Sequence, residues 1–154
     1  VSLSTGLLHL TFLQILVGAL VAGIDAGRNY VDWPLMAGGF LPPDPFELSP
    51  WWRNFFEDDG LVQFMHRMIG YTLFFFCFFA WRRSRSSGNS TLKFSFNVIL
   101  AIAIFQMMLG IATVMYAAPW EIAIIHQFGA ILLWIFVIRA RFVTKYPPST
   151  IITS

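Results

Sequence analysis

Four apolar stretches divide the chain, at roughly 3–24, 61–81, 94–116 and 121–142. About 20 apolar residues in a helix cover the ~30 Å of hydrocarbon in a bilayer, and each stretch is that long with few charges inside it. The pattern therefore predicts four transmembrane helices. Their connections are unequal. The second and third are short, whereas the first, about 26–60, is too long for a hairpin turn and is expected to have a task of its own. Within it Ser49 suits an N-cap and Pro50 the first helical position, so a short helix is expected to start there. Its Trp51, Trp52, Phe55 and Phe56 suit the headgroup layer, either as a plain anchor or as a flap over the outer edge of a site.

The first stretch is not a signal peptide, because it lacks a basic leading segment and is too long for the apolar core of one. Val1 is expected to be a cut inside a longer protein or a processed end. Of 154 residues, 57% are hydrophobic and only 12% charged, too few charges to keep a soluble domain wet. The charges are sorted. Arg82, Arg83, Arg85, Lys93, Arg139, Arg141 and Lys145, seven of the ten basic residues, flank the inner ends of the spans, and all eight acids lie on the other side. The positive-inside rule then places both termini in the cytoplasm or matrix and the long loop outside. The pI near 9 reflects this sorting; no basic cluster with interleaved aromatics points to nucleic acid. Cys77, without a CxxC partner, reads as a small apolar residue facing core or lipid.

A weak internal repeat runs through the spans. Gln14 and Gly18 in the first are answered by Gln106 and Gly110 in the third, and His66 and Gly70 in the second by His126 and Gly129–Ala130 in the fourth. The chain thus reads as two copies of one helical hairpin. The predicted fold is all-α: one membrane domain over 1–154, a transmembrane four-helix bundle with a pseudo-twofold axis along the membrane normal and a long extracytoplasmic loop. The glycines permit close approach of helices or of a flat ligand. Gln14 and Gln106 read first as interhelical hydrogen-bonding residues and second as polar groups lining a pocket.

His66 and His126 each stand five residues inside their spans, counted from the acidic side, on helices of the same direction. At helical rise both imidazoles lie roughly 7–8 Å below the same membrane surface. Intramembrane ionisable groups are functional suspects, and two at matched depth suit a bis-histidine haem, one axial nitrogen for each face. Zinc, copper or non-haem iron would want further His, Cys or carboxylate ligands at that depth, which the sequence does not offer. His9, near the inner side, has no partner at its depth and is not expected to be a ligand. Arg67 follows His66 and pairs with a haem propionate, with loop carboxylates or with headgroups; Gln127 holds the equivalent place after His126. Arg28 is a second propionate candidate, with snorkelling to headgroups as the alternative.

Taken together, Gly18-Ala-Leu-Val-Ala-Gly-Ile-Asp-Ala-Gly-Arg28, Trp33-Pro-Leu-Met36, Pro42-Pro43, Trp52-Arg-Asn-Phe-Phe56, Val62-Gln-Phe-Met-His-Arg67 and Ile125-His-Gln127 resemble the second half of haem A synthase of the alphaproteobacterial and mitochondrial type. The likeness runs from about Leu10 to Lys145. It implies an eight-span enzyme of two four-helix halves that oxidises a methyl group of haem O to the formyl group of haem A. The amino-terminal half then holds the substrate, and this half holds haem B on His66 and His126, with Gln63, Arg67, Gln127 and Arg28 as further cofactor-binding candidates. Gln63 stands where the substrate half has a glutamate considered catalytic, so no catalytic residue is expected here. Implied partners are the amino-terminal half, haem O, the lipid membrane and, further out, haem O synthase and cytochrome oxidase assembly factors. The implied location is the bacterial cytoplasmic membrane, with the mitochondrial inner membrane as the alternative. Two other readings remain: a complete bis-histidine cytochrome b that only moves electrons, and a cofactor-free membrane assembly subunit.

Overall fold

Helix forms wherever the apolar pattern predicts it, and the last three helices outrun their apolar stretches into polar sequence, the second span at both ends, the third at its start and the fourth at its end. The computed structural model describes residues 3–146. The long helices are α1 (Leu3–Gly23), α3 (Asp59–Ser84), α4 (Ser90–Met115) and α5 (Trp120–Lys145), with α2 (Asn54–Glu57) a single turn in the first connection. The extensions have local causes. The first amide groups of a helix lack partners within it. Asp58 accepts from the Leu61 N–H at 2.6 Å and Asn89 from the Leu92 N–H at 3.0 Å, and each starts its helix earlier than hydrophobicity alone predicts.

Helices α1 and α4 each pack against both α3 and α5. The bundle is therefore a square in which α3 and α5 face each other across one diagonal and run in the same direction. A dry core fills the end of the bundle away from the long loop, with Leu7, Leu73, Cys77, Ile99, Leu133 and Val137 buried together. That core ends where Gln14, Gly70, Gln106 and Gly129 begin, and both histidines lie beyond it, in the half nearer the loop. Outward-facing side chains are apolar: Phe12, Leu16, Phe75, Phe79, Met108, Phe128 and Ile135 are all exposed. Each of the four long helices is apolar enough to cross a bilayer, so lipid covers what water would not, and the chain is a membrane protein.

The short helix of the loop is displaced from its expected start. A 3-10 turn, Trp51–Arg53, leads into α2, and Pro50 precedes it in extended backbone with no side-chain cap from Ser49. The reason is Asn54. Its buried side chain accepts from the Leu48 N–H at 2.9 Å and donates to the carbonyls of Leu48 (3.0 Å) and Trp51 (2.7 Å), so the turn is organised from its far end. Trp51 and Trp52 remain 68% and 52% exposed, which leaves them free to meet a headgroup layer.

Candidate functional site

The two hairpins bring His66 of α3 and His126 of α5 together across the diagonal, with ring centroids 6.5 Å apart and planes at 89°. Two imidazoles on one metal, each about 2 Å from it, have ring centres about 6 Å apart. The observed spacing fits, and the angle does not oppose it, since an imidazole can turn about its bond to a metal. Both Nδ1 atoms are buried without a hydrogen-bond partner, an uncommon state for a polar atom in a native core. Among the described residues no group of three His, Cys, Asp or Glu forms a metal cage. Two imidazoles with no third protein ligand suit a metal that brings further nitrogens of its own.

The repeat residues build the walls. A Cβ at Gly18 would fall 2.9 Å from His66 Cε1, and one at Gly110 would fall 3.2 Å from His126 Cε1. The glycines of α1 and α4 thus make room for the imidazoles of α3 and α5. One turn deeper the relation is inverted. Gln14 lies over Gly70, where a Cβ would come within 3.1 Å of its amide nitrogen, and Gln106 lies over Gly129, where a Cβ would overlap its amide nitrogen. Gln14 donates across the interface to the His66 carbonyl at 3.1 Å and sits 3.3 Å from His66 Nε2. This pairing of each glutamine with the glycine of its neighbour escaped the sequence reading. The matched Gln-x3-Gly spacings, with Gly70 four residues after His66 and Gly129 three after His126, held the signal once laid antiparallel.

The other predicted residues separate into two clusters. Gln63 and Arg67 bond to the long loop and to each other. Gln63, fully buried, donates to the carbonyls of Ala26 (2.9 Å) and Tyr30 (3.2 Å) and accepts from Arg67 at 2.7 Å. Arg67 donates further to the carbonyls of Leu35 (3.0 Å), Tyr30 (3.1 Å) and Asp32 (3.1 Å). Within the protein Arg67 bonds to loop carbonyls rather than to the loop carboxylates expected. Trp33 adds a hydrogen bond to the Tyr71 hydroxyl at 2.8 Å, and Asn29 one to Asp59. Together these clasp residues 26–35 onto the start of α3. The clasped loop sets its own electrostatics. The Ala37 and Gly38 N–H groups hold the Asp32 carboxyl below its ordinary pKa, while burial and then Asp58, Asp59 and Asp44 push Tyr30 up.

Arg28 and Gln127 do come together. They line one cavity of about 220 Å³ between the end of α1, the turn before α5 and the first turns of α5, with Val21, Ala118, Trp120 and Ile124. Arg28 is exposed there beside Asp25 at 3.6 Å. Gln127 follows His126 on α5, but neither histidine lines this cavity. His9 is exposed on the outside of α1, in a shallow groove with Gly6, Leu13, Thr72 and Phe76, apart from the other histidines.

Known proteins align with this chain along most of its length. The family model described as cytochrome oxidase assembly protein matches residues 2–138. The haem A synthase of Ruegeria pomeroyi is 59% identical over 148 residues, covering 96% of this chain and 39% of its own length. That of Paracoccus denitrificans is 45% identical over 149 residues, covering 97% and 39%, and that of Cereibacter sphaeroides 41% identical over 156 residues, covering 96% and 40%. The chain thus spans about two fifths of the length of these curated relatives. No solved structure gives a significant match. With the family model covering nearly all of the helical bundle, the chain belongs to the cytochrome oxidase assembly protein family.

Proposed function

We propose that this chain is the carboxy-terminal, haem-B-binding half of a haem A synthase, with His66 and His126 as the axial ligands. The observation that carries the reading is the pair itself: two imidazoles from equivalent repeat positions, 6.5 Å apart across the diagonal of the bundle. Haem B, when bound, supplies one-electron redox chemistry. The residues of this chain hold it. The glycines at 18 and 110 admit the rings, the dry core below excludes water, and Arg28 with Gln127 offers a cation and an amide at the loop end, where a propionate would find both. Gln63 has no free amide atom, since loop carbonyls and Arg67 use its hydrogen-bonding capacity. This supports a half that contributes electron transfer or structure while the oxidation of the haem O methyl group takes place in the amino-terminal half.

The test is spectroscopic. In the full-length protein, His66→Ala and His126→Ala should each remove the low-spin haem B spectrum of this half, and His9→Ala should leave it intact. Full retention in either of the first two would sink the assignment. A stand-alone electron-transfer protein and a cofactor-free assembly subunit remain the competing readings. A reading frame without four further spans would favour the first, and a haem-free preparation after reconstitution the second.

The location proposed is the bacterial cytoplasmic membrane, with termini inside and the loop outside. The sorting of basic and acidic residues to opposite ends of the bundle supports it. In a Cys77→Ser background, a cysteine placed at position 45 should label from outside and one at position 88 from inside. The reverse accessibility would overturn the orientation.

A further inference from the structure

We propose that Gln14 is a latch on His66 that makes the two histidines unequal, so that His126 takes the iron first and His66 closes the site. This rests on the bis-histidine reading above. The Gln14 amide nitrogen lies 3.1 Å from the His66 carbonyl oxygen and 3.3 Å from His66 Nε2. An amide nitrogen carries two hydrogens, so one serves the carbonyl and the other the lone pair of the ring. A lone pair that accepts a hydrogen bond is not free for a metal. Ligation through Nε2 therefore requires Gln14 to let go of the ring while keeping its hold on the carbonyl.

The second repeat has the same glutamine without the same bond. Gln106 is 8% exposed, and neither its amide nitrogen nor its amide oxygen has a partner. It lies over Gly129 as Gln14 lies over Gly70, yet donates to neither the ring nor the carbonyl of His126. The His126 ring thus packs against Gly110 with no donor from Gln106, while the His66 ring packs against Gly18 and also has the Gln14 donor. Gln14 is in this sense a positioning residue, acting through His66. Since a net hydrogen bond is worth a factor of about two to ten, the latch should delay the closing step by that factor.

The experiment mixes ferric haem B with the full-length apoprotein in lipid nanodiscs and follows the six-coordinate low-spin spectrum by stopped flow. Rates are compared between variants, so a second haem elsewhere in the protein cancels. Gln14→Met removes the donor at nearly constant length and should speed closure about two- to tenfold. Gln106→Met, which removes no hydrogen bond to His126, should change the rate less than Gln14→Met does. Gly70→Ala, whose new Cβ would stand 3.1 Å from the Gln14 amide nitrogen, should act like Gln14→Met and decides the matter if that variant does not fold. His66→Ala should retain a five-coordinate haem on His126 that His126→Ala largely loses. Equal effects at the two glutamines, slower closure in Gln14→Met, or five-coordinate haem retained better by His126→Ala would each overturn the latch. If the unsubstituted protein forms no low-spin haem at all, the bis-histidine reading itself fails, a result the variants cannot mimic.

Discussion

The two hairpins, α1 with α3 and α4 with α5, agree at three positions and part at two. Gln14, Gly18 and His66 of the first match Gln106, Gly110 and His126 of the second, but Gln63 and Arg67 are answered by Ala123 and Gln127. Of the shared residues, Gly18 and Gly110 lie against the histidine rings, and Gln14 and Gln106 lie over Gly70 and Gly129. The two that differ both hold residues 26–35 of the long connection, which the second hairpin lacks, because α4 and α5 are joined by a tight turn through Ala117 and Ala118. One helical unit has been used twice. What distinguishes the copies is the attachment of a loop, and the site is common to both.

The comparison breaks most visibly at the glycines. If the repeats are equivalent about the histidines, Gly18→Leu and Gly110→Leu should each lower low-spin haem occupancy by more than about tenfold, since no imidazole position survives an added side chain there. The first should act more strongly, because its Cβ would lie 2.9 Å from a ring against 3.2 Å in the second. Haem titration of the two variants measures this. Full occupancy in Gly110→Leu would show that the second repeat holds its histidine differently.

The clasp should show the opposite, an effect in one hairpin only. Arg67→Ala leaves three loop carbonyls and the Gln63 oxygen without their donor, and should weaken loop protection by about 2–4 kcal/mol. Gln63→Glu keeps an acceptor for Arg67 but cannot donate to Ala26 and Tyr30, and should cost about 1–3 kcal/mol without creating a catalytic centre. Gln127→Ala, at the position equivalent to Arg67 but exposed, should stay within about 0.5 kcal/mol. Amide exchange of residues 30–36 reads all three. A loss in Gln127→Ala equal to that in Arg67→Ala would remove the distinction between the copies.

The smallest effect concerns Asp32, within the clasped loop. Backbone N–H groups of Ala37 and Gly38 lower its pKa in the folded protein. A lowered folded pKa contributes stability that is present above the unfolded value, about 3.9, and is lost as pH falls through the folded one. Protection of the Ala37 and Gly38 amides should therefore hold from neutral pH down to about 4 and fade only below it. Asp32→Asn should remove that dependence. Unchanged pH dependence in the variant would assign the loop's acid response to another group.

Much of this was legible in order along the chain. Hydrophobic length predicts the four helices, and equal placement of His66 and His126 in parallel spans predicts their meeting, because rise per residue turns sequence position into depth. The ends of helices were less legible, since Asp58 and Asn89 extend them by hydrogen bonds that hydropathy does not measure. The loop was least legible. Asn54 organises a turn through a buried amide, and Arg67 seeks backbone carbonyls, which every residue offers and no sequence pattern advertises.

By itself, then, the sequence determined that the chain is a four-helix membrane bundle with a doubled hairpin, because solvent preference and repeat spacing are local properties. Only the tertiary structure decided which neighbour each polar group takes. Gln14 and Gln106 are the same residue at the same repeat position, yet one donates to a histidine and the other to nothing. Gln63 and Arg67 stand beside a candidate ligand in sequence and bond to the long loop in space. Hydrogen bonds depend on distances of a few tenths of an ångström and on direction, and those are set by how the helices pack.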